Sequence, residues 1–315
     1  MTDDNGALVI GEALIDIVVR DGRTRAEHVG GSPLNVAVGL ARLGRDVAFR
    51  TRLGADPHGE RIARYLTDSG IRLLPGEAAT RTSTAVATLG ADGSAEYEFD
   101  LLWDLPATTE SVGAQVIHTG SIAALLEPGC LAVTEILRAG RPTATITYDP
   151  NIRPSIIGDD PAAHQRVEHL VSLSDVVKVS DEDLHWIDPS RTPEQIARDW
   201  LATGPSLVAV TTGARGAFAV CATGITSIPA HPVEVVDTVG AGDAFTAGLI
   251  DALWSADLLG AQHRATLSTI STDTLTHILR TATLTSALTV ARPGADPPDR
   301  TALDAAIAAC SDNLP

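Results

Sequence analysis

Residues 237–249 read Asp237-Thr238-Val239-Gly240-Ala241-Gly242-Asp243-Ala244-Phe245-Thr246-Ala247-Gly248-Leu249, a glycine-rich turn followed by a carboxylate and the start of an apolar helix. Gly240 and Gly242 allow a tight turn that brings backbone N–H groups up to an anionic ligand. Taken alone, the Gly-Ala-Gly string is equally compatible with a plain helix N-cap in which Asp243 is a first-turn acid. The whole stretch predicts an anion-binding turn with a base beside it, followed by a helix whose buried face contains Ala244, Phe245, Ala247, Leu249, Ile250 and Leu253.

A second glycine-rich stretch occurs near the start of the chain, Gly-Gly-Ser-Pro-Leu-Asn-Val-Ala-Val-Gly-Leu-Ala-Arg-Leu-Gly at residues 30–44. The two stretches resemble the N- and C-terminal signatures of the ribokinase-like (PfkB) carbohydrate kinases, in the order in which that family has them. Weaker family-like segments lie at residues 11–16, 149–154, 178–183 and 211–216. The resemblance therefore spans roughly residues 7–300.

The periodicity of the chain indicates an α/β fold. Strands are predicted at 7–20 and 23–29, joined by Asp21-Gly22, and at 82–89 and 95–100, joined by Ala91-Asp92-Gly93. No neighbouring segment provides a helix to cover these two hairpins, so we interpret them as a β-lid formed by about 12–30 and 82–102. The rest alternates strands near 46–51, 115–119, 143–148, 175–179 and 206–210 with helices near 33–43, 58–68, 128–139, 162–173 and 193–202.

This alternation predicts a three-layer α/β/α arrangement with a mostly parallel sheet. Strands near 217–221 and 225–228 are expected to form an antiparallel hairpin at one edge, and 264–291 has a helical pattern. The resemblance implies a ribokinase-like fold, with residues 1–315 forming a single kinase domain that carries the lid.

Composition excludes several classes of partner. The chain has 315 residues, is 44% hydrophobic and carries a net charge of −17, which fits a soluble globular enzyme and disfavours nucleic acid or an anionic membrane as a partner. Cys130, Cys221 and Cys310 show no CxxC spacing, which argues against a disulfide framework or a zinc site and favours the reducing cytoplasm. No signal peptide or run of about 18 apolar residues is seen, so no membrane span is expected.

The chain contains a single lysine, Lys178, and no G-x-x-x-x-G-K-[ST] string, which excludes a Walker-type phosphate cradle. Nucleotide phosphates would therefore need backbone amides, arginine and metal.

The resemblance makes Asp243 the catalytic base that accepts the proton of a sugar hydroxyl, with Gly240, Ala241 and Gly242 facing the charge that develops on the phosphoryl group. Asp237 is either a strand-end cap or, as the matching family position implies, a ligand of a monovalent cation such as K⁺.

Sugar recognition needs polar groups that pair with hydroxyls and glycines that allow close approach. Asp16, Gly30, Gly31 and Asn35 fit this need, because Asp16 lies on an otherwise apolar strand and Asn35 is a poor helix former just inside a helix. Tyr97 and Phe99 either close over the sugar or are packing of the lid itself, and Arg153 is a further candidate for substrate contact.

By resemblance, ATP contacts fall on Lys178, Ser180, Thr211, Gly213, Gly216, Gly294 and Ala295. Ser180 and Asp183 stand where the family usually has Asn and Glu. Asp183 keeps the carboxylate but is one methylene shorter, so we expect it to reach Mg²⁺ through a bridging water.

The expected activity is ATP- and Mg²⁺-dependent phosphorylation of a primary hydroxyl of a sugar. The strings at 30–37 and 149–154 resemble those of fructokinases, which makes fructose the first choice, and those of 2-keto-3-deoxygluconate kinases, in which Arg153 would pair with the substrate carboxylate. A nucleoside kinase ranks third, since the chain is only 3% aromatic. A non-catalytic sugar- or nucleotide-binding sensor is the alternative outside enzymes. We also expect a homodimer that associates through the lids.

Overall fold

The computed structural model describes residues 6–74, 76–89, 95–106, 113–158 and 160–311. The described strands, in chain order, are β1 Ala7–Ile10, β2 Leu14–Arg20, β3 Arg23–Gly30, β4 Val47–Arg50, β5 Arg72–Leu73, β6 Ser83–Leu89, β7 Ala95–Asp100, β8 Val116–Gly120, β9 Thr145–Asp149, β10 Val176–Ser180, β11 Leu207–Thr211, β12 Ala217–Cys221 and β13 Gly224–Ile228. The described helices are α1 Ser32–Arg42, α2 Pro57–Asp68, α3 Ser121–Leu125, α4 Gly129–Gly140, α5 Pro154–Ile157, α6 Pro161–Leu173, α7 Asp181–Ile187, α8 Pro193–Leu201, α9 Ala241–Ser255, α10 Arg264–Ser268, α11 Thr272–Val290 and α12 Arg300–Ser311.

The described part of the chain contains a nine-stranded sheet in the order β13-β12-β11-β10-β9-β8-β1-β4-β5. Every pair from β5 to β11 is parallel, and β12 and β13 add an antiparallel hairpin at one edge. This is the mostly parallel, three-layer α/β arrangement predicted from the alternation of strands and helices.

Both faces of this sheet are covered, which explains why strands such as β1, Ala-Leu-Val-Ile, and β11, Leu-Val-Ala-Val-Thr, are apolar on both sides. In β1, Ala7 and Val9 belong to a core shared with residues of α1, α9 and α11, whereas Leu8 and Ile10 belong to a second core with residues of α4, α6 and α8. Since the carboxyl ends of parallel strands meet at one edge of a sheet, β9, β10 and β11 deliver Asp149, Ser180 and Thr211 to the same edge.

The two predicted hairpins form a separate four-stranded sheet in the order β3-β2-β6-β7. It is antiparallel within each hairpin and parallel where β2 meets β6. The predicted turn at residues 91–93 lies outside the described residues.

In-register pairing places one row of side chains across this small sheet, in the order Phe99, Ala85, Asp16 and His28. Leu14 and Ala85 of the same face pack with Ile122, and Phe99 packs against this cluster. This face, called the inner face below, is therefore turned toward the large sheet, and Asp16 lies on it.

Three sequence predictions need correction. The strand predicted over 7–20 is interrupted at 11–13, where the chain leaves the large sheet as β1 and enters the small sheet as β2. The helix predicted over 264–291 is two helices, because Ser271 accepts a hydrogen bond from Thr274 N and caps the start of α11. The small sheet does meet a helix: Arg61 of α2 pairs with Glu27 of β3 at 2.9 Å.

The helix predicted from 241 is confirmed as α9, but it is buried on all sides from Asp243 to Leu253 rather than along one stripe. It packs between α1 and α11, and a Cβ at Gly39 of α1 would lie 2.7 Å from Ala247 Cβ. No helix among the described residues is both long and apolar enough to cross a bilayer.

Candidate active site

The turn before α9 has the geometry that an anion-binding site requires. Gly240 has φ +75°, and a Cβ there would lie 2.6 Å from Ala295 Cβ, so glycine is needed for both conformation and space. No side chain caps this end of α9. The positive end of the helix dipole therefore lies beside the neighbouring cleft, which Ala241 and Gly242 line, although the Ala241 amide donates to the Thr238 carbonyl at 3.3 Å.

Asp243 lies in the first turn of α9 and is 8% exposed. Its two carboxylate oxygens are held from α1: Ser32 Oγ donates to Oδ1 at 2.6 Å, and Asn35 Nδ2 donates to Oδ2 at 2.8 Å. Burial raises the pKa of Asp243, while these two hydrogen bonds lower it in part. Each carboxylate oxygen retains a lone pair with which it could accept a proton.

A buried ion pair lies beneath this turn. Lys178 Nζ donates to Asp149 Oδ2 at 2.9 Å, and Thr246 Oγ1 lies 3.2 Å from the same oxygen. A Cβ at Gly242 would be 3.0 Å from Lys178 Nζ, so the only lysine of the chain sits directly against the anion-binding turn. Burial lowers the pKa of Lys178, but the charges of Asp149 and Asp183 outweigh this and raise it, so the ammonium stays charged.

Glu12 is a second buried carboxyl, in the segment between β1 and β2. Its Oε2 accepts a hydrogen bond from Ala123 N at 2.9 Å. Burial, and to a smaller degree the charge of Asp243, raise the pKa of Glu12 to about 7, against hydrogen bonds that include one with Ser121.

The predicted sugar-binding residues converge at the junction of the two sheets. Asp16 is exposed on the inner face, but the protein atoms around its carboxyl partly desolvate it, which raises its pKa, and the charge of His28 opposes this. A Cβ at Gly30 would collide with Asp16 Oδ2, and one at Gly31, which has φ +117°, would lie 2.5 Å from the Glu12 carbonyl oxygen. Glycine is thus required at Gly31, and at Gly30 it leaves room for the Asp16 carboxylate in its observed position.

The two aromatic residues of β7 differ in their surroundings. Tyr97 and Phe99 stack with ring centroids 6.1 Å apart. Phe99 packs against Leu14, Ala85 and Ile122, whereas Tyr97 is 61% exposed. Phe99 therefore contributes to the packing of the small sheet, whereas most of the Tyr97 side chain is accessible to solvent.

A cleft of about 890 Å³ extends from Lys178, Ala241 and Gly242 along the carboxyl edge of the large sheet. Its volume lies within the usual range for small-molecule sites, roughly 300–1,000 Å³. The predicted nucleotide residues Ser180, Thr211, Gly213 and Gly216 line it. Arg153 also lines it and donates to the Ile152 carbonyl at 3.1 Å, so this side chain lies in the cleft rather than on the small sheet.

Ser180 and Asp183 form a helix capping box at the start of α7. Asp183 Oδ2 accepts from Ser180 N at 3.1 Å and from Ser180 Oγ at 2.6 Å, and its Oδ1 accepts from Ile152 N at 2.8 Å. Three protein donors occupy this carboxylate, so direct coordination of a metal does not fit. Within the described ranges no group of three His, Cys, Asp or Glu side chains is arranged to hold a metal ion.

The turn before α9 is stabilised by contacts with Asp237, Gly294 and Ala295. Asp237 accepts from Val239 N at 3.0 Å and from Gly294 N at 2.9 Å, and these hydrogen bonds lower the pKa of its carboxyl. Ala295 packs against Gly240. The contacts seen for these three residues are structural, and the cation and nucleotide roles stay predictions.

The profile of the pfkB family of carbohydrate kinases matches residues 5–302. The chain belongs to this family. Among curated relatives, this carbohydrate kinase is 34% identical over 273 residues to a fructokinase of Rhizobium leguminosarum bv. trifolii, covering 82% of this chain and 83% of the relative. It is 36% identical over 264 residues to a fructokinase of Klebsiella pneumoniae, covering 79% and 85%.

Solved structures agree with the family assignment. The fructokinase of Xylella fastidiosa with bound ATP superposes on this carbohydrate kinase with a TM-score of 0.82 at 25% identity, covering 97% of this chain and 99% of that one. The fructokinase of Vibrio cholerae O395 with fructose, ADP and calcium ion bound gives a TM-score of 0.78 at 27% identity, covering 96% and 99%.

Sequence reasoning missed four polar residues of this kinase's site: Glu12, Ser32, Asp149 and Thr246. All four lie within the segments that carry the family resemblance. The sequence therefore indicated the right segments, but it did not indicate that these four side chains contact the site. Helical spacing could have indicated Ser32, since it stands three residues before Asn35 and shares its face of α1.

Proposed function

We propose that this kinase transfers the γ-phosphoryl group of ATP to a primary hydroxyl of fructose. The observation that carries the proposal is the position of Asp243, a buried carboxylate that lies between the anion-binding turn and the helix starting at the Gly30-Gly31 pair. The fructokinase relatives support fructose as the sugar.

In the proposed reaction the sugar hydroxyl gives its proton to Asp243 as its oxygen bonds to the γ-phosphorus, while the bond to the β–γ bridging oxygen breaks and ADP leaves. The Gly242 amide, the positive end of α9 and the ammonium of Lys178 stabilise the negative charge on the transferring group. Asp16, Gly30, Gly31 and Asn35 hold the sugar, with Tyr97 and Phe99 beside it.

The nucleotide lies in the cleft, with Ser180, Thr211, Gly213 and Gly216 along its wall. Magnesium bound to ATP would neutralise charge on the phosphates, with any contact from Asp183 made through water because three protein donors already occupy that carboxylate. A K⁺ site near Asp237 belongs to the same proposal, and a double-mutant fructokinase from Vibrio cholerae O395 has been solved with fructose, ADP and potassium ion bound.

Charge on the small sheet favours a neutral sugar over a sugar phosphate. Arg81 pairs with Asp100 and Arg25 pairs with Asp21 at 3.3 Å, so these cations already have partners at solvated strand ends. The alternative, 2-keto-3-deoxygluconate, rests on Arg153, which lines the cleft and could meet a carboxylate.

A panel of acceptors tests the substrate. The kcat/KM from ADP release should be highest for fructose among fructose, 2-keto-3-deoxygluconate, ribose, adenosine and fructose 6-phosphate. A tenfold preference for any other acceptor would overturn fructose. Arg153→Ala separates the first two, because leaving a buried substrate carboxylate unpaired costs about 2–5 kcal/mol, whereas a neutral ketose should lose less.

We further propose that the kinase works as a homodimer in the cytoplasm. In-register residues Ala26, Val18, Ala87 and Tyr97 form an apolar row on the inner face, one step farther from the junction than Asp16. Cys130, Cys221 and Cys310 are free thiols, which suits a reducing compartment.

A further inference from the structure

Among the residues that the structure describes, Ser32 carries the one hydroxyl that is hydrogen-bonded to Asp243. It is the first residue of α1, yet its Oγ does not cap that helix and instead donates to Asp243 Oδ1, 211 residues farther along the chain, at 2.6 Å. Asn35, one turn later, donates to Oδ2. Two hydrogen-bond donors on one face of α1 therefore hold the Asp243 carboxylate.

Close contacts at two glycines, one just before α1 and one within it, fix the position of Ser32. At the N-terminal end, Gly31 passes so close to the Glu12 carbonyl oxygen that only glycine fits. Farther along, Gly39 packs against Ala247 of α9. Since α9 carries Asp243, the distance from Ser32 to the carboxylate is set by packing between the two helices rather than by a flexible side chain alone.

The hydrogen bond has a chemical consequence. An O–H···O⁻ bond of 2.6 Å is in the charge-assisted range and is stronger when the acceptor is ionised. Burial favours the neutral acid, and Ser32 and Asn35 oppose that effect. We propose that Ser32 is a positioning residue that keeps Asp243 ionised and aims its free lone pair at the sugar hydroxyl.

Other charged groups face Asp243 and bear on its ionisation. Lys178 of β10 favours the carboxylate, whereas Asp149 of β9 disfavours it. Glu12, in the segment between β1 and β2, interacts with Asp243 through its charge and titrates near pH 7. The loss of a proton from Asp243 and from Glu12 could both shape the acid limb of the pH profile, the side on which kcat falls as the pH is lowered. The test is therefore run in the wild-type and in a Glu12→Gln background.

The test measures kcat and kcat/KM against pH for Ser32→Ala and Ser32→Thr, with the sugar that the acceptor panel ranks first. Ser32→Ala should lower kcat about tenfold and move the acid limb upward by about one pH unit, with the KM for ATP unchanged. Ser32→Thr, which keeps a hydroxyl, should restore both values. Ser32→Cys, a similar size but a weak donor, replaces Ser32→Ala if that variant does not fold.

The matched control is Ser190→Ala, which removes a Ser–Asp hydrogen bond of the same 2.6 Å length, to Asp188 on the surface. It should leave kcat and the acid limb unchanged. If Ser32→Ala keeps kcat within twofold and its acid limb in place in both backgrounds, or if Ser32→Thr fails to restore them, the inference is wrong.

The inference rests on the proposed role of Asp243 as base, and Asp243→Asn separates the two. If Asp243→Asn is inactive while Ser32→Ala matches wild type, only the role of Ser32 fails. If Asp243→Asn remains active, the base assignment itself fails.

Discussion

Asp243 combines burial with two hydrogen bonds to its oxygens, a combination that suits a base more than a surface cap. Asp243→Asn should keep the side chain's shape and most of its contacts, and therefore leave the affinities for sugar and ATP nearly intact. Because the amide cannot accept the proton, kcat should fall by about 10²–10⁴. Steady-state kinetics measure this, and a kcat within threefold of wild type would remove Asp243 from the mechanism.

Glu12 should make stability depend on pH. Its pKa is about 7 in the folded protein against an ordinary value of 4.5, so between these pH values the folded state holds a proton that the unfolded state has lost. Its contribution to stability is therefore complete below pH 4.5 and is lost as the pH rises through 7, by on the order of 3 kcal/mol.

Glu12→Gln keeps a carbonyl acceptor for Ala123 N and removes the titration. Relative to wild type, its melting temperature should rise from pH 5 to pH 8. Glu135→Gln, on the exposed side of α4 where Glu135 pairs with Arg138, is the control and should track wild type at every pH. A parallel pH dependence of wild type and Glu12→Gln would contradict the assignment.

The capping box of α7 allows a test of whether Asp183 has a structural role or a role in binding Mg²⁺. Asp183→Ala leaves Ser180 N and the buried Ile152 N without their acceptor, which should destabilise the protein by about 2–4 kcal/mol. The loss should appear in thermal melts without Mg²⁺ or ATP. Glu182→Ala, exposed in the same turn, serves as the control and should change stability by about 0.5 kcal/mol or less. A loss that appears only with Mg²⁺ and ATP would instead favour a metal role.

At the level of elements, sequence periodicity predicted most strands and helices because the large sheet is buried on both faces and its runs are long and apolar. It joined β1 to β2 because Gly11-Glu12-Ala13 is a short interruption between two apolar runs, and the break depends on which sheet each half enters. Glycine and carboxylate motifs predicted the turn before α9. The contact between Ser32 and Asp243 could not be predicted, since it depends on how α1 and α9 pack across 211 residues.

At the scale of the whole molecule, the apolar row of Ala26, Val18, Ala87 and Tyr97 favours association of two copies through the small sheets. Light scattering should give a mass of twice 32.7 kDa at micromolar concentrations. Tyr97→Asp should reduce the mass to that of one chain by placing a charge in the row. Leu131→Asp, at a comparably exposed leucine on α4, should remain a dimer. A wild-type mass near 32.7 kDa would contradict the proposed dimer.

The burial of the only lysine also has a consequence for chemical labelling. Apart from the amino terminus, an acylating reagent has one amine to attack, and Lys178 is 5% exposed and held protonated by its acidic neighbours. Lys178 should therefore resist acylation in the folded protein, and each molecule acylated at Lys178 should be an inactivated one. The rate of inactivation then measures how often Lys178 Nζ becomes accessible to the reagent. No probe has to be introduced for this measurement.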